Sequence, residues 1–241
     1  MIGSSGSSSG SNPRGGVNTF ACSRYGLRDG ETPTLDNKTL VLAVMTRKEF
    51  IGNFLDKLQK ISGIIGTSDS ILQVLEMIAQ VAPIDISVLI NGESGSGKEL
   101  IARKIHKNSK RNNGPFVVIN GALLDAKKYE LELFGEEKKD GSIFYGALEK
   151  ASGGILLIDE VTEIPLETQS KILRVVIDQK FKRINSNHDI KVDVRIICTN
   201  SKDAQQEIRN GNFREDLFHR LNVFNIKIDP LNKRIEDIPI L

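Results

Sequence analysis

The chain has 241 residues, 39% hydrophobic and 27% charged, which suffices for one sizeable buried core with extensions. Its formal net charge of +2 is too small for charge alone to bring it to nucleic acid or to a membrane surface. Cys22 and Cys198 form neither a disulfide framework nor a zinc spacing, and neither an 18-residue apolar run nor a signal-like start is present, so a reducing, cytoplasmic setting without membrane contact is expected.

Residues 1–38 open with MIGSSGSSSGSNPRGG, a Gly/Ser-rich composition that cannot bury enough apolar surface to order itself, and read as a disordered leader or a cloning scar. Residues 39–62 predict a linker helix. Val44, Ile51 and Leu58 repeat by seven, with Phe54 and Ile61 in the second seam position. The pattern suits a helix that pairs with its own copy as well as one lying on the core. Ile71, Leu75, Ile78 and Ala82 then predict a helix with Ser68 or Asp69 as its N-cap. The runs ISVLI, FVVIN, GILLIDE, DVRIICTN and FNIKID follow, mostly continuous in hydrophobicity, as expected of strands buried on both faces. Helical stretches separate the first four, among them LETQSKILRVVID with Leu166, Ile172, Leu173 and Val176 assigned to one face. Such alternation predicts a three-layer α/β sandwich around a mainly parallel five-stranded sheet over residues 63–241.

Three of these strands end in chemistry. After ISVLI comes GESGSGKE: Gly92, Glu93, Ser94, Gly95, Ser96, Gly97, Lys98 and Glu99, opening a helix with Leu100 in its first turn. Glycines let backbone amides wrap a phosphate, and a lysine at the helix start adds a point charge for the terminal phosphates. Glu99 stands where the generic motif has a magnesium-binding Ser or Thr. ILLIDE delivers Asp159, suited to orient magnesium, and Glu160, suited to act as base on an attacking water. The strand ending in Asn200 supplies an amide able to position that water or sense a phosphate. Arg214 and Arg220 lie six apart and so not on one helical face.

The order phosphate loop, acidic strand, asparagine strand and arginine pair resembles an AAA+ ATPase. The runs GESGSGKELIARKIH, FVVINGALL, ELFG, GGILLIDEV, ETQSKILRVV, VDVRIICTN and FREDLFHRLNVFNIKIDPLNKRIEDIPIL resemble the central domain of bacterial enhancer-binding proteins, the activators of sigma-54 RNA polymerase. That family carries GESGTGKE, so Glu99 is in pattern. The resemblance implies a P-loop NTPase of AAA+ type that binds ATP with Mg2+ and works as a hexameric or heptameric ring. It also implies adenine beside Ile64 and Ile65, Asn120 restraining the catalytic glutamate, and Arg214 and Arg220 as fingers reaching a neighbouring subunit. Wording such as INGALL, YELELFG, GALEKASGG and ILRVVIDQKFKRI is nearest to the family's response regulators of nitrogen and redox control.

Three family features are expected to be missing. No room precedes Ile64 for a phosphoacceptor receiver domain. The family continues past EDIPIL into a helical lid, which adds an arginine to the nucleotide, and a helix-turn-helix domain that contacts DNA, so weak hydrolysis is expected of this chain. EEKKDGSIFYG stands in place of the loop tipped with GAFTGA that touches the sigma factor, and Phe144 and Tyr145 are expected to pack beneath it. Two readings stay open: a ring that remodels sigma-54 polymerase, or a regulator whose nucleotide sets oligomeric state and DNA occupancy without doing so. A generic AAA+ unfoldase or clamp loader fits the motifs but not the wording.

Overall fold

The computed structural model describes residues 64, 66–122 and 125–240. The leader at 1–38, the linker helix at 39–62 and Ile65 lie outside the described residues. In chain order the elements are α1 (Asp69–Val81), β1 (Val88–Asn91), α2 (Lys98–Asn108), β2 (Phe116–Asn120), α3 (Ala126–Phe134), β3 (Gly135–Glu137), β4 (Ile143–Tyr145) and α4 (Ala147–Lys150). They continue with β5 (Ile155–Asp159), α5 (Leu166–Asp178), β6 (Lys180–Phe181), β7 (Ile190–Lys191), β8 (Arg195–Asn200), α6 (Ala204–Arg209), α7 (Glu215–Leu221) and β9 (Phe224–Lys227).

Five strands form one sheet in the order β2-β5-β8-β1-β9, every pairing parallel. These are the five apolar runs of the sequence. Their continuous hydrophobicity follows from the pleat: Ile155 and Leu157 face one core while Leu156 and Ile158 face the other. Helices α1 and α2 cover the first face through residues such as Val74, Ile78, Ile101 and Ile105. Helices α3, α5 and α7 cover the second through Leu133, Ile172, Val175 and Leu217. Each such fully buried aliphatic side chain contributes roughly 1.5–3 kcal/mol. The result is a three-layer α/β sandwich with the carboxyl ends of its parallel strands at one edge of the sheet.

Helix α1 buries Ile71, Val74, Leu75, Ile78 and Val81, the stripe its spacing predicts, and Ser68 is the N-cap, its hydroxyl accepting from the Ile71 amide at 3.3 Å. Both its ends are fixed by distant residues. The buried Asp237 accepts from the Thr67 amide (2.6 Å), the Ser68 amide (2.8 Å) and the Ser68 hydroxyl (2.7 Å). At the other end the buried Arg195 donates to the carbonyls of Val81 (3.0 Å), Ala82 (2.9 Å) and Ile86 (3.0 Å). One face assignment fails. Leu166 is exposed, because the stripe of α5 runs through Thr168, Ile172 and Val175, recurring at i, i+4 and i+7, and Leu166 lies off it.

Two antiparallel hairpins, β3–β4 and β6–β7, stand apart from the main sheet and were not anticipated from the sequence. Their strands are two or three residues long and lack an alternating pattern. The hairpins are joined: the Glu137 amide donates to the Ile184 carbonyl, and the Ile184 amide to the Gly135 carbonyl, both at 3.0 Å. No helix among the described residues is long and apolar enough to cross a membrane.

Candidate active site

The loop after β1 is shaped for backbone approach. Gly95 (φ 78°) and Gly97 (φ 94°) occupy the left-handed region, and Gly97 is the N-cap of α2. A Cβ on Gly92 would come within 2.7 Å of the Ser96 hydroxyl. That hydroxyl is buried without a hydrogen-bond partner, in a cradle that also contains the first amides of α2, which have no helical partners of their own. These are features that a phosphate group satisfies. Lys98, only 7% exposed, donates from Nζ to the carbonyls of Gly92 (2.9 Å) and Glu93 (3.2 Å).

Beside the cradle lies a cavity of about 470 Å³, walled by Ile64, Ile71, Leu100, Ile228, Leu231 and Arg234 together with the loop from Glu93 to Gly97. Its size and apolar lining fit a purine base. Arg234 is buried, its Nε has no hydrogen-bond partner, and its Nη1 lies 3.6 Å from Asp237 Oδ2. Glu93 and Ser94 are exposed, and Glu99 points away to pair with Arg103 at 2.7 Å.

Strands β5 and β8 run side by side, so their ends bring the acidic pair against Thr199, Asn200 and Ser201. Asp159 accepts from the Thr199 hydroxyl on Oδ1 and from the Asn120 amide on Oδ2, the latter at 2.6 Å. Glu160 adopts φ 53° and ψ 60°, a left-handed backbone rare for a non-glycine residue and common at working sites. Its amide donates to the Thr199 hydroxyl at 3.0 Å. Its carboxylate bridges two partners: Oε1 lies 3.1 Å from Lys98 Nζ, and Oε2 accepts from the Ser201 amide (2.9 Å) and hydroxyl (2.7 Å). Burial works to raise the Glu160 pKa, but the Ser201 and Lys98 contacts outweigh it and hold the carboxyl below its ordinary value.

Two assigned residues sit differently from expectation. Asn120 is not on the glutamate: its amide is engaged by Asp159, and its Oδ1 accepts from the Ala122 amide at 2.8 Å. Asn200 is fully buried, accepting from Thr162 (2.7 Å) and donating to the Lys202 carbonyl (2.6 Å), so its side chain faces the protein rather than a ligand. Its contribution is through the backbone, where its carbonyl accepts from the Gly92 amide at 3.1 Å. Thr199 and Ser201, which hold the two carboxylates, were missed. The available signal was the run CTNS, which places hydroxyls on both sides of the asparagine at a strand end.

Residues 64–227 match the family model described as the Sigma-54 interaction domain. The chain belongs to the sigma-54 interaction domain family. Among curated relatives, the nitrogen assimilation regulatory protein NtrX of Azorhizobium caulinodans is 48% identical over 178 residues, 73% of this chain and 39% of that protein. The DNA-binding transcriptional regulator NtrC of Escherichia coli is 44% identical over 182 residues, 74% of this chain and 39% of that protein. The crystal structure of NtrX from Brucella abortus in complex with ATP superposes with a TM-score of 0.71 at 43% identity, covering 86% of this chain and 46% of that one. The chain thus spans about two fifths of the length of the curated relatives it matches.

In this sigma-54 interaction domain neither Arg214 nor Arg220 has a hydrogen bond or ion pair with Lys98 or Glu160 among the described residues. Arg214, the N-cap of α7, has its backbone amide held by Gln169 (2.9 Å) and its guanidinium paired with Asp216 (2.6 Å). Arg220 is exposed in the last turn and has no side-chain partner among the described residues. The segment EEKKDGSIFYG lies in the hairpin β3–β4, closed by a tight turn in which the Lys138 amide donates to the Ser142 carbonyl at 2.9 Å. Tyr145 does not pack beneath it. It is 53% exposed, with Arg183 Cζ 5.4 Å from its ring centroid, while the half-buried Phe144 ring has Lys150 Nζ 5.1 Å from its centroid.

Proposed function

We propose that this chain is the ATP-binding and ATP-hydrolysing domain of a cytoplasmic, NtrX-like transcription regulator, completed by assembly into a hexameric or heptameric ring. The observation that carries the reading is Lys98 linking the phosphate cradle to the carboxylate of Glu160 at 3.1 Å, across the carboxyl edge of the sheet. Bound Mg-ATP supplies the phosphoanhydride to be cleaved and the cation that offsets its charge. The chain's own residues do the rest. The loop Gly92–Gly97 and the first amides of α2 bind the phosphates, Lys98 neutralises the outer ones, and the apolar cavity holds the base. Asp159, a single carboxylate at the strand end, suits magnesium, which takes one or two carboxylates and keeps phosphate and water as its other ligands. Glu160 accepts a proton from water as that water attacks the terminal phosphorus. Arg214 and Arg220, both exposed, take the role of fingers on the phosphates of a neighbouring subunit.

The test is Glu160→Gln, which removes the proton acceptor and keeps the shape. We expect ATP binding by calorimetry within about threefold of wild type and steady-state turnover lowered by about two orders of magnitude or more. Turnover equal to wild type removes Glu160 from the catalytic role.

The hairpin favours a second reading for the partner: a nucleotide-controlled assembly module that does not remodel sigma-54 polymerase. The turn Lys138–Ser142 carries no Phe-Thr tip, and the hairpin is bonded to its neighbour rather than projecting freely. The check is a pull-down in the presence of a transition-state analogue of ATP, with an activator carrying GAFTGA as control. Retention of sigma-54 by the control alone supports the second reading, and retention by both refutes it.

A further inference from the structure

Gln169, in α5, is fully buried, and none of the chemistry described above uses it. Its Nε2 donates to the Ile164 carbonyl at 2.7 Å and to the Asn212 carbonyl at 2.8 Å, while its Oε1 accepts from the Arg214 amide at 2.9 Å. Both amide hydrogens are spent, so one side chain joins separate stretches of backbone. Ile164 ends the short helical turn that begins at Glu160. Asn212 and Arg214 lie 43 and 45 residues from Gln169, at the start of α7. A hydrocarbon could fill the same volume, so these three bonds account for an amide in this core.

Arg214 is the N-cap of α7, where a backbone amide has no helical partner, and Gln169 supplies one. Phe213 and Leu217 anchor the segment by burial, and Gln169 sets the backbone between them. Beyond that root the guanidinium reaches solvent, its side chain 41% exposed and paired with Asp216. Resting on the reading of Arg214 as a finger, we propose that Gln169 is the positioning residue for it. The buried amide fixes the backbone from which Arg214 reaches a neighbouring subunit's phosphates, and ties it to the turn that follows Glu160 in its own subunit. A long side chain aims only as well as its root is held, and a misplacement of about 1 Å can cost about a hundredfold in rate. The effect is in trans. The bonds of Gln169 go to backbone groups of Ile164, Asn212 and Arg214 rather than to Lys98, Asp159 or Glu160, so its loss disarms the neighbour's site and leaves its own competent.

The experiment mixes variants in pairs and reads steady-state ATP turnover at a total concentration where wild-type specific activity no longer rises. Gln169→Met keeps the volume and removes the amide. Alone it should bind ATP within about threefold of wild type and turn over about tenfold to a hundredfold more slowly. Mixed with an equal amount of Glu160→Gln, which carries an intact finger and an inactive site, it should give turnover severalfold above the sum of the two alone. Mixed with Arg214→Ala, which has no finger to lend, it should give no gain. A general loss of structure would not be restored by a partner that lends only a finger. Glu160→Gln with Arg214→Ala is the reference pair: no gain there overturns the finger reading and this inference with it. With a gain in the reference pair, three results overturn the role of Gln169 alone: wild-type turnover in Gln169→Met, no gain on mixing it with Glu160→Gln, or a gain on mixing it with Arg214→Ala. Should calorimetric melting show that Gln169→Met does not fold, Gln169→Asn, an amide one methylene short of the same reach, takes its place in each mixture with the same expected outcomes.

Discussion

At the residue scale, Lys98 is the side chain on which most of the site depends. It is the first residue of α2, it is 7% exposed, and its polar partners among the described residues are two loop carbonyls and Glu160. An ammonium this buried is maintained by those partners, and removing it leaves a part-buried carboxylate without its counter-charge. Lys98→Ala should therefore abolish measurable ATP binding by calorimetry and also raise the Glu160 titration midpoint, because one of the donors that lowers it is gone. Binding within about threefold of wild type would show that the cradle amides suffice without the lysine. The phosphate loop, Lys98 and the acidic pair were legible in the sequence because each is a short contiguous run with a chemical requirement. Asn120 and Asn200 were not. Their roles depend on which neighbour wins their amides, and that is decided by strand order: β5 lies between β2 and β8, so Asp159 meets Asn120 on one side and Thr199 on the other.

At the element scale, α1 is a lid on one face of the sheet, fixed by Asp237 at its start and Arg195 at its end. Asp237 is fully buried and answers three donors of Thr67 and Ser68, with Arg234 beside it. Burial works to raise its pKa, but the Ser68 and Thr67 hydrogen bonds and the charge of Arg234 prevail and hold it below the ordinary aspartate value. A group depressed in the folded state contributes its full stability above its unfolded pKa and loses it as pH falls through the folded one. Asp237→Ala should cost about 3 kcal/mol at pH 7, because it leaves buried donors unanswered. It should also weaken the dependence of Tm on pH below about pH 4 relative to wild type, since one depressed carboxyl is removed. Calorimetric melts from neutral pH to about pH 3 check both, and parallel wild-type and variant curves would show that Asp237 is not a source of acid sensitivity. The stripe of α1 was readable from its 3.6-residue spacing. Its two anchors were not, because they come from 169 and 113 residues away.

At the scale of the whole molecule, the parallel sheet with a core on each face supports the site, and the two joined hairpins form a block outside that sheet, tied to the second core through Phe181. Arg183 is central to that block. Its guanidinium pairs with Glu149 at 2.5 and 2.8 Å, its face meets Tyr145, and the neighbouring Ile184 makes the backbone link to Gly135 and Glu137. Arg183→Ala should raise amide hydrogen exchange in β3, β4, β6 and β7 by about tenfold or more, with β1, β5 and β8 unchanged and ATP affinity preserved. Exchange that rises equally in the central sheet would mean the hairpins are part of the main cooperative unit.

The turn Lys138–Ser142 closes this block at its outer end, with Asp140 bonding only to the Ser142 amide and hydroxyl and all five residues exposed. Residues inserted there meet no core, and the entropy of a longer loop grows only slowly with its length. For the history of such a domain, this makes the turn a site of tolerated change. A lineage can lengthen it, shorten it or graft a segment there in a single step without reaching the core.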